Sequence, residues 1–425
     1  KMRLSGGDIK TAYLHGRLKE TIFMRQPPMF YKYDENGQPL ICKLKRSIYG
    51  LKQSGACWEA RFAEELRILG FTNCEADPCL WKRKDQAGFV LLAVYVDDLL
   101  FVTSSTTAYD KIVYELKERF EVTGTGDLEW LLGTRIDQSI DLGTIRIDQS
   151  LYIQDMMREY NIDPQGRLRT TPAQTEILNL TPLEEHEKIN PLYQSAVGKL
   201  LWVALRTRPD IAFATIYLAR FASAGGDKHM YHVYNIMKYL AKTADYQMTF
   251  GESNHGLWDL LEKYSPIGEI NEMPDLLVMA DASFGGEKPP AGLIIFYMGM
   301  CVTYAAFRTA ITPLSSAEAE YLAITRAVQA LIPIIGILKF IGTSCEHASV
   351  PVMTDNKAAI QLADSDTSSR RMRHVVTRMA YLKEQIESGV ITLYHIYSKG
   401  MVADIFTKPL LADLFHSFRK ILVGD

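Results

Sequence analysis

Two adjacent aspartates, Asp97 and Asp98, interrupt an otherwise apolar run, FVLLAVYVDDLLFV, at residues 89–102. Val94, Tyr95 and Val96 precede them, and Leu99, Leu100, Phe101 and Val102 follow. Strand formers on both sides predict a two-strand hairpin that buries both acids. Adjacent carboxylates in such a setting repel each other and lose solvation. A divalent cation relieves both penalties, and Mg2+ is held by one or two carboxylates together with substrate phosphates. A surface Asp-Asp turn between two core strands is the plainer alternative.

A third acid, Asp8, ends a short segment in GGDIKTAY, with the aromatic Tyr13 five residues on. A polymerase palm needs one acid from a strand and one or two from a neighbouring hairpin, a count these three supply; a surface acid ahead of a turn is the plainer alternative for Asp8. Such a set holds two ions ~3.5–4 Å apart, activating a primer 3′-hydroxyl and stabilising the leaving pyrophosphate. Four further acids are spread over the second half of the chain. Asp281 follows an apolar strand, and Glu320 opens a long helix behind Ser315 and Ser316, which can cap it. Asp355 ends a strand, and Asp404 is expected at the entry to the last helix. Acids from four separate elements suit a two-metal nuclease, whose carboxylates share ions flanking a scissile phosphate. Glu318 rivals Glu320, and an acid at a helix start is also favoured by the helix dipole alone.

The elements that must position these acids are readable in outline. Residues 1–125 alternate strands and helices, with amphipathic helices over 61–69 and 110–120. Residues 164–191, carrying Pro172 and Pro182, read as a linker or ordered arm. Residues 192–242 read as helical, with Pro209 near a helix start and Ile211, Ala214, Leu218 and Phe221 on one face. Residues 251–274 are a loosely patterned connection, and 276–411 read as an α/β domain. The uncharged run 291–307 is shorter than the ~20 residues of a spanning helix, and Gly299 marks it as two strands around a turn. At 425 residues, two to four domains are expected. A hydrophobic share of 47% and a charged share of 23% describe a soluble globular chain. The net charge of −3 leaves phosphate contacts to local patches. Six scattered cysteines without a CxxC pair argue against zinc and for a reducing compartment.

The chain resembles the reverse transcriptase and ribonuclease H region of a copia-like LTR retrotransposon polyprotein. Nine stretches carry the resemblance in order: DIKTAYLHGRLKETIFMRQPP, LKRSIYGLKQS, GFTNCEADPCLW, YVDDLL, YQSAVGKLLWVALRTRPDIAFA, MADASFGG, SSAEAEYLA, TDNKAAI and VADIFTKPL. It implies a multidomain α/β and α+β chain. That comprises a partial polymerase palm with a ferredoxin-like sheet and helices (1–122), thumb and linker (123–190), connection (191–270) and a ribonuclease H-like α/β domain (271–425). It implies catalytic and Mg2+-binding roles for Asp8, Asp97 and Asp98 in the palm, and for Asp281, Glu320, Asp355 and Asp404 in the nuclease, with Mn2+ as a substitute. Tyr13 would lie under the incoming sugar, with a packed core aromatic as the alternative. Gly50, Leu51, Lys52 and Gln53 would line the nucleotide side. The implied partners are an RNA template, a DNA primer, an RNA–DNA hybrid and dNTPs, with no membrane. A homodimer or other polyprotein products complete the set, in a cytoplasmic virus-like particle with nuclear entry.

The sequence also departs from the family pattern. Gly55-Ala56 replace Pro-Arg after the LKQS stretch. Val376 replaces an acid, and Met379-Ala380-Tyr381 replace an aromatic-His-aromatic triplet. The basic stretch Arg370, Arg371, Arg373 and His374 could hold hybrid phosphates or simply form a solvated helix-leading face. Lys1 opens the chain and Asp8 already sits in a motif, which predicts a segment of a longer polyprotein lacking its fingers and polymerising poorly. Two rivals remain: activity in the ribonuclease H half alone, or a non-catalytic nucleic-acid-binding remnant.

Overall fold

The computed structural model describes all residues except 1, 252–254, 267–272, 287, 344–348, 365–375 and 425. Cys345 and the basic stretch Arg370, Arg371, Arg373 and His374 lie outside the described residues. The chain divides into two compact units, one of residues 1–128 with 340–342, the other of 129–339 with 343–425.

The first unit runs β1 (Arg3–Ile9), β2 (Phe23–Arg25), β3 (Ile41–Lys43), α1 (Ser54–Ile68), β4 (Thr72–Asn73), β5 (Leu80–Asp85), β6 (Gly88–Tyr95), β7 (Asp98–Thr103), α2 (Thr106–Lys117) and β8 (Val122–Asp127). Its main sheet is antiparallel in the order β4-β5-β6-β7-β1-β8. The two-residue strand period sends Val90 and Leu92 of β6, and Leu99 and Phe101 of β7, into one core. Trp58, Phe62 and Leu66 of α1 and Ile112 and Leu116 of α2 close that core from the helices. Each such side chain contributes about 1.5–3 kcal/mol when fully buried. The Ser105 hydroxyl caps α2 by accepting from the Ala108 amide at 3.1 Å.

The expected hairpin forms between β6 and β7, but it does not bury both acids. Tyr95 pairs with Asp98, so the connection is the two-residue turn Val96-Asp97. Asp97 and Asp98 are only half-buried because they lie at the turn of the hairpin. Val96 takes φ +58°, a left-handed conformation that strains a β-branched residue. The Trp58 indole N–H donates to the Val96 carbonyl at 2.7 Å and holds this turn against the core.

The second unit begins with β9 (Trp130–Leu131), β10 (Thr134–Ser139), β11 (Thr144–Asp148) and α3 (Ser150–Glu159). The helices α4 (Tyr193–Ala204), α5 (Ala212–Ala219) and α6 (Asp227–Lys242) follow, then β12 (Met248–Phe250). Beyond these come α7 (His255–Tyr264), β13 (Leu276–Ala282), β14 (Pro290–Tyr297), β15 (Met300–Arg308), α8 (Ser316–Ile341) and β16 (Val350–Thr354). The last elements are α9 (Lys357–Asp364), α10 (Val376–Glu387), β17 (Ile391–His395) and α11 (Ala412–Leu422). Residues 164–191 hold one 3-10 turn, Thr175–Asn179. Residues 251–274 contain α7, whose Leu257, Leu260 and Leu261 are buried; the expected plain connection there is corrected to a helix.

Two sheets organise this unit: a small one, β12-β11-β10-β9, and a five-stranded one, β15-β14-β13-β16-β17. In the larger, β13, β14 and β15 are antiparallel, whereas β13, β16 and β17 run parallel. The parallel links need long crossovers, supplied by α8 and by α9 with α10. Every residue of β13 is buried, as a central strand covered on both faces demands. The helix α8 is long and apolar enough, by length and composition, to cross a membrane, and half of its most apolar stretch is buried inside the protein. Between α4 and α6, Arg208 is fully buried and doubly bonded to Asp210 at 2.9 and 2.7 Å. It also donates to the Thr243 carbonyl and hydroxyl, each at 2.6 Å, while the Tyr239 hydroxyl donates to Asp210. That network fastens the start of α5 to the end of α6.

Candidate metal-binding carboxylate sites

In the second unit the strand register brings acids together. Met279 of β13 pairs with Met353 of β16, so Asp281 and Asp355 stand two residues further along neighbouring parallel strands. Both lie at the carboxyl ends of the strands, where open α/β sheets place their ligands. Glu320 reaches them from the first turns of α8. The carboxylates of Asp281, Glu320 and Asp355 offer oxygens that all lie within 4.8 Å of one another. Asp281 and Glu320 are buried and Asp355 is half-buried.

The helix phase separates Glu320 from its rival. The Ser315 hydroxyl accepts from the Glu318 amide at 3.2 Å, and the Glu318 carboxylate accepts from the Leu314 amide at 2.9 Å. Glu318 therefore serves the helix start, while Glu320, two residues on, joins the acids. Asp404 comes from a 3-10 turn, Val402–Phe406, ahead of α11, not from the entry of that helix as the sequence suggested. Gly292, paired with Asp281 across the β13–β14 ladder, lets this turn pack closely. A Cβ at Gly292 would lie 2.5 Å from the Phe406 Cβ and 3.1 Å from the Ala403 carbonyl oxygen.

Two residues that sequence reasoning did not single out touch the acids from the same turn, although both stand in the stretch VADIFTKPL. The Thr407 hydroxyl donates to Asp281, and the Lys408 ammonium lies 2.8 Å from Asp404 Oδ1. A third, Ser398, donates its hydroxyl to Asp355 at 2.6 Å. Burial, reinforced by Asp281 and then Asp355, pushes the Glu320 carboxyl up to about 10. Burial and then Asp281 push Asp404 up to about 8, with Lys408 pulling the other way. Carboxylates that resist ionisation side by side at neutral pH mark a place built for added positive charge.

The first unit arranges its acids less tightly. The β1–β7 register sets Asp8 opposite Asp98, and the Ile9 amide donates to the Asp97 carbonyl at 2.9 Å. Burial, then Asp97, then Asp8 raise the Asp98 carboxyl above its ordinary value. Among the described residues these three do not form a group of ligand atoms within 4.8 Å, as the second unit's acids do. Tyr13 sits on the 3-10 turn Ala12–His15, its ring edge-on to Tyr49 with centroids 4.9 Å apart. Burial and the nearby Asp97, Tyr13 and Asp8 raise the Tyr49 phenol, which places this residue beside them. Gly50, Leu51, Lys52 and Gln53 follow it directly in the loop that leads into α1, with Gly50 at φ +95°.

The reverse transcriptase (RNA-dependent DNA polymerase) family profile matches residues 4–174. A retrovirus-related Pol polyprotein from transposon TNT 1-94 of Nicotiana tabacum is 27% identical over 425 residues, covering 98% of this chain and 30% of that one. The chain is similar over nearly its whole length to the Pol polyproteins of retrotransposons. A putative transposon Ty5-1 protein of Saccharomyces cerevisiae is 29% identical over 326 residues, covering 76% of this chain and 99% of its own length. Among solved structures, the foamy viral protease–reverse transcriptase in complex with double-stranded DNA is 14% identical with a TM-score of 0.47, covering 92% of this chain and 56% of that one. The chain spans 30% of the length of the tobacco polyprotein and 27% of a second plant relative.

Proposed function

We propose that this chain carries the reverse transcriptase and ribonuclease H work of its retrotransposon, with cleavage of RNA in RNA–DNA hybrids residing in the second unit. One observation carries the reading: three carboxylates from β13, α8 and the end of β16 present oxygens within 4.8 Å of one another, two of them on buried residues. The donor set is all oxygen, which suits a hard cation such as Mg2+ or its substitute Mn2+. Asp404 fits the same purpose: it is buried, and its Oδ1 already faces a cation, the Lys408 ammonium at 2.8 Å. When bound, such ions would supply Lewis-acid activation of water and neutralise charge at the departing oxygen.

The residues of the chain do the rest. Asp281 and Glu320, held by the sheet and by α8, fix the position of the positive charge. Thr407 orients Asp281 and Ser398 orients Asp355 through their hydroxyls. Asp404 extends the set on the side of the 3-10 turn. In the first unit we infer that Asp8, Asp97 and Asp98 serve nucleotidyl transfer from dNTPs onto a DNA primer along an RNA template. Tyr13 would lie under the incoming sugar and Gly50–Gln53 beside the nucleotide. We infer a cytoplasmic virus-like particle, with nuclear entry, as the setting, and a homodimer or assembly with other polyprotein products. A second reading, in which the nuclease half alone is competent, is favoured by the looser gathering of Asp8, Asp97 and Asp98.

The test is a labelled RNA strand presented in an RNA–DNA hybrid, an RNA duplex and as a single strand, with Mg2+, Mn2+ or a chelator. Cleavage confined to the hybrid and requiring the divalent ion supports the reading. Cleavage of all three RNAs, or cleavage in the chelator, refutes it. Primer extension on the same protein separates the two readings.

A further inference from the structure

The turn that supplies Asp404 also supplies a cation for it. The Lys408 amide donates to the Asp404 carbonyl at 3.2 Å, so a single turn of chain fixes both residues. The Lys408 ammonium then lies 2.8 Å from Asp404 Oδ1. That oxygen is buried, and the ammonium is the cation that reaches it. The partners differ in freedom: the Lys408 side chain keeps 44% of its surface exposed, and the Asp404 side chain 4%. A flexible four-carbon stem lets the ammonium leave without disturbing the core, whereas Asp404 is fixed. Asp281, Glu320 and Asp355 form their 4.8 Å group without Asp404.

We propose that Lys408 is an internal counter-cation that occupies the Asp404 arm of the site and makes it the ligand of a second, weaker divalent ion. The proposal rests on reading the four carboxylates as a divalent-ion site. Asp281, Glu320 and Asp355 take the first ion, because among the described residues no cationic side chain has to be displaced from them. The second must expel the ammonium from Asp404 Oδ1, so its affinity is lowered by the repulsion between two cations competing for one carboxylate. Lys408 is thus a positioning residue that sets the order in which the site fills.

The full chain, with Asp97→Asn and Asp98→Asn in every sample (the wild type below included) to silence the first unit's acids, is titrated with Mn2+ alone, by calorimetry and by electron paramagnetic resonance of the free ion, with no nucleic acid present. The wild type binds one ion tightly and a second more weakly. Lys408→Met, which keeps the length of the stem and removes the charge, tightens the second event roughly tenfold or more and leaves the first within about twofold. Lys408→Arg restores the wild-type gap, and Asp404→Asn added to Lys408→Met removes the second event. A Lys408→Met titration superimposable on the wild type overturns the proposal. So does a wild type that fills both sites with equal affinity, a result that leaves the metal-site reading standing. A wild type that binds no ion refutes both, which distinguishes the two failures. Circular dichroism confirms that each variant is folded, and Lys408→Gln repeats the test should the methionine variant not fold.

Discussion

Replacing Glu320 with glutamine should stabilise the metal-free protein and destroy its response to metal. Glu320 is 4% exposed, and burial with Asp281 and Asp355 pushes its carboxyl to about 10 from an ordinary 4.5. A raised acid keeps its proton in the folded chain while the unfolded chain gives it up. Its stability is therefore fully present below pH 4.5 and is lost as the pH climbs towards 10. At 1.36 kcal/mol per pH unit, the wild type at pH 8 forfeits at most about 5 kcal/mol, and at pH 5.5 only about 1 kcal/mol. Glu320 interacts strongly with its neighbouring carboxylates, so the penalty belongs to the set and a few kcal/mol is the expected size at pH 8. Glutamine has the same shape and no charge, and it escapes the penalty. Urea unfolding in chelator, followed by circular dichroism, should show Glu320→Gln more stable than the wild type at pH 8 and nearly equal at pH 5.5. Adding Mg2+ should stabilise the wild type, more at the higher pH because binding releases protons, and should leave the variant almost unmoved. Equal wild-type and variant stability at both pH values would refute the reasoning.

Two further perturbations test the frame that holds the acids. Gly292→Ala places a methyl group 2.5 Å from the Phe406 Cβ, which must push the turn carrying Asp404 away from β14. A loss of about 1–3 kcal/mol in urea unfolding is expected, with hybrid cleavage falling more than the folded fraction does; unchanged cleavage would detach Asp404 from the site. Arg208→Met leaves Asp210 buried without its partner, so the second unit should lose about 3–5 kcal/mol by the same measurement. A loss below about 1 kcal/mol would mean the network is not structural.

The sequence and the structure part ways where local pattern stops determining position. The apolar strand before Asp281 and the Ser315 cap before α8 were legible because strand propensity and helix capping act over a few residues. The resemblance supplied Asp404, but its 3-10 turn was not legible, since 402–406 has neither a two-residue nor a 3.6-residue period. The helix α7 was missed because its apolar residues, Leu257, Leu260 and Leu261, span little more than one turn. Full burial of Asp97 and Asp98 was overestimated because the flanking residues reveal a hairpin but not where it ends. Gly292, Lys408, Tyr49 and Trp58 act through partners far away in the chain or through local geometry that no spacing rule encodes.

The most direct measurement is hybrid cleavage in Mg2+ by the wild type beside Asp281→Asn and Asp355→Asn. An amide cannot supply the charge that gathers the ion, so each variant should lose cleavage by about 10²-fold or more while remaining folded. Two folded variants that cut the RNA strand at the wild-type rate would contradict the account.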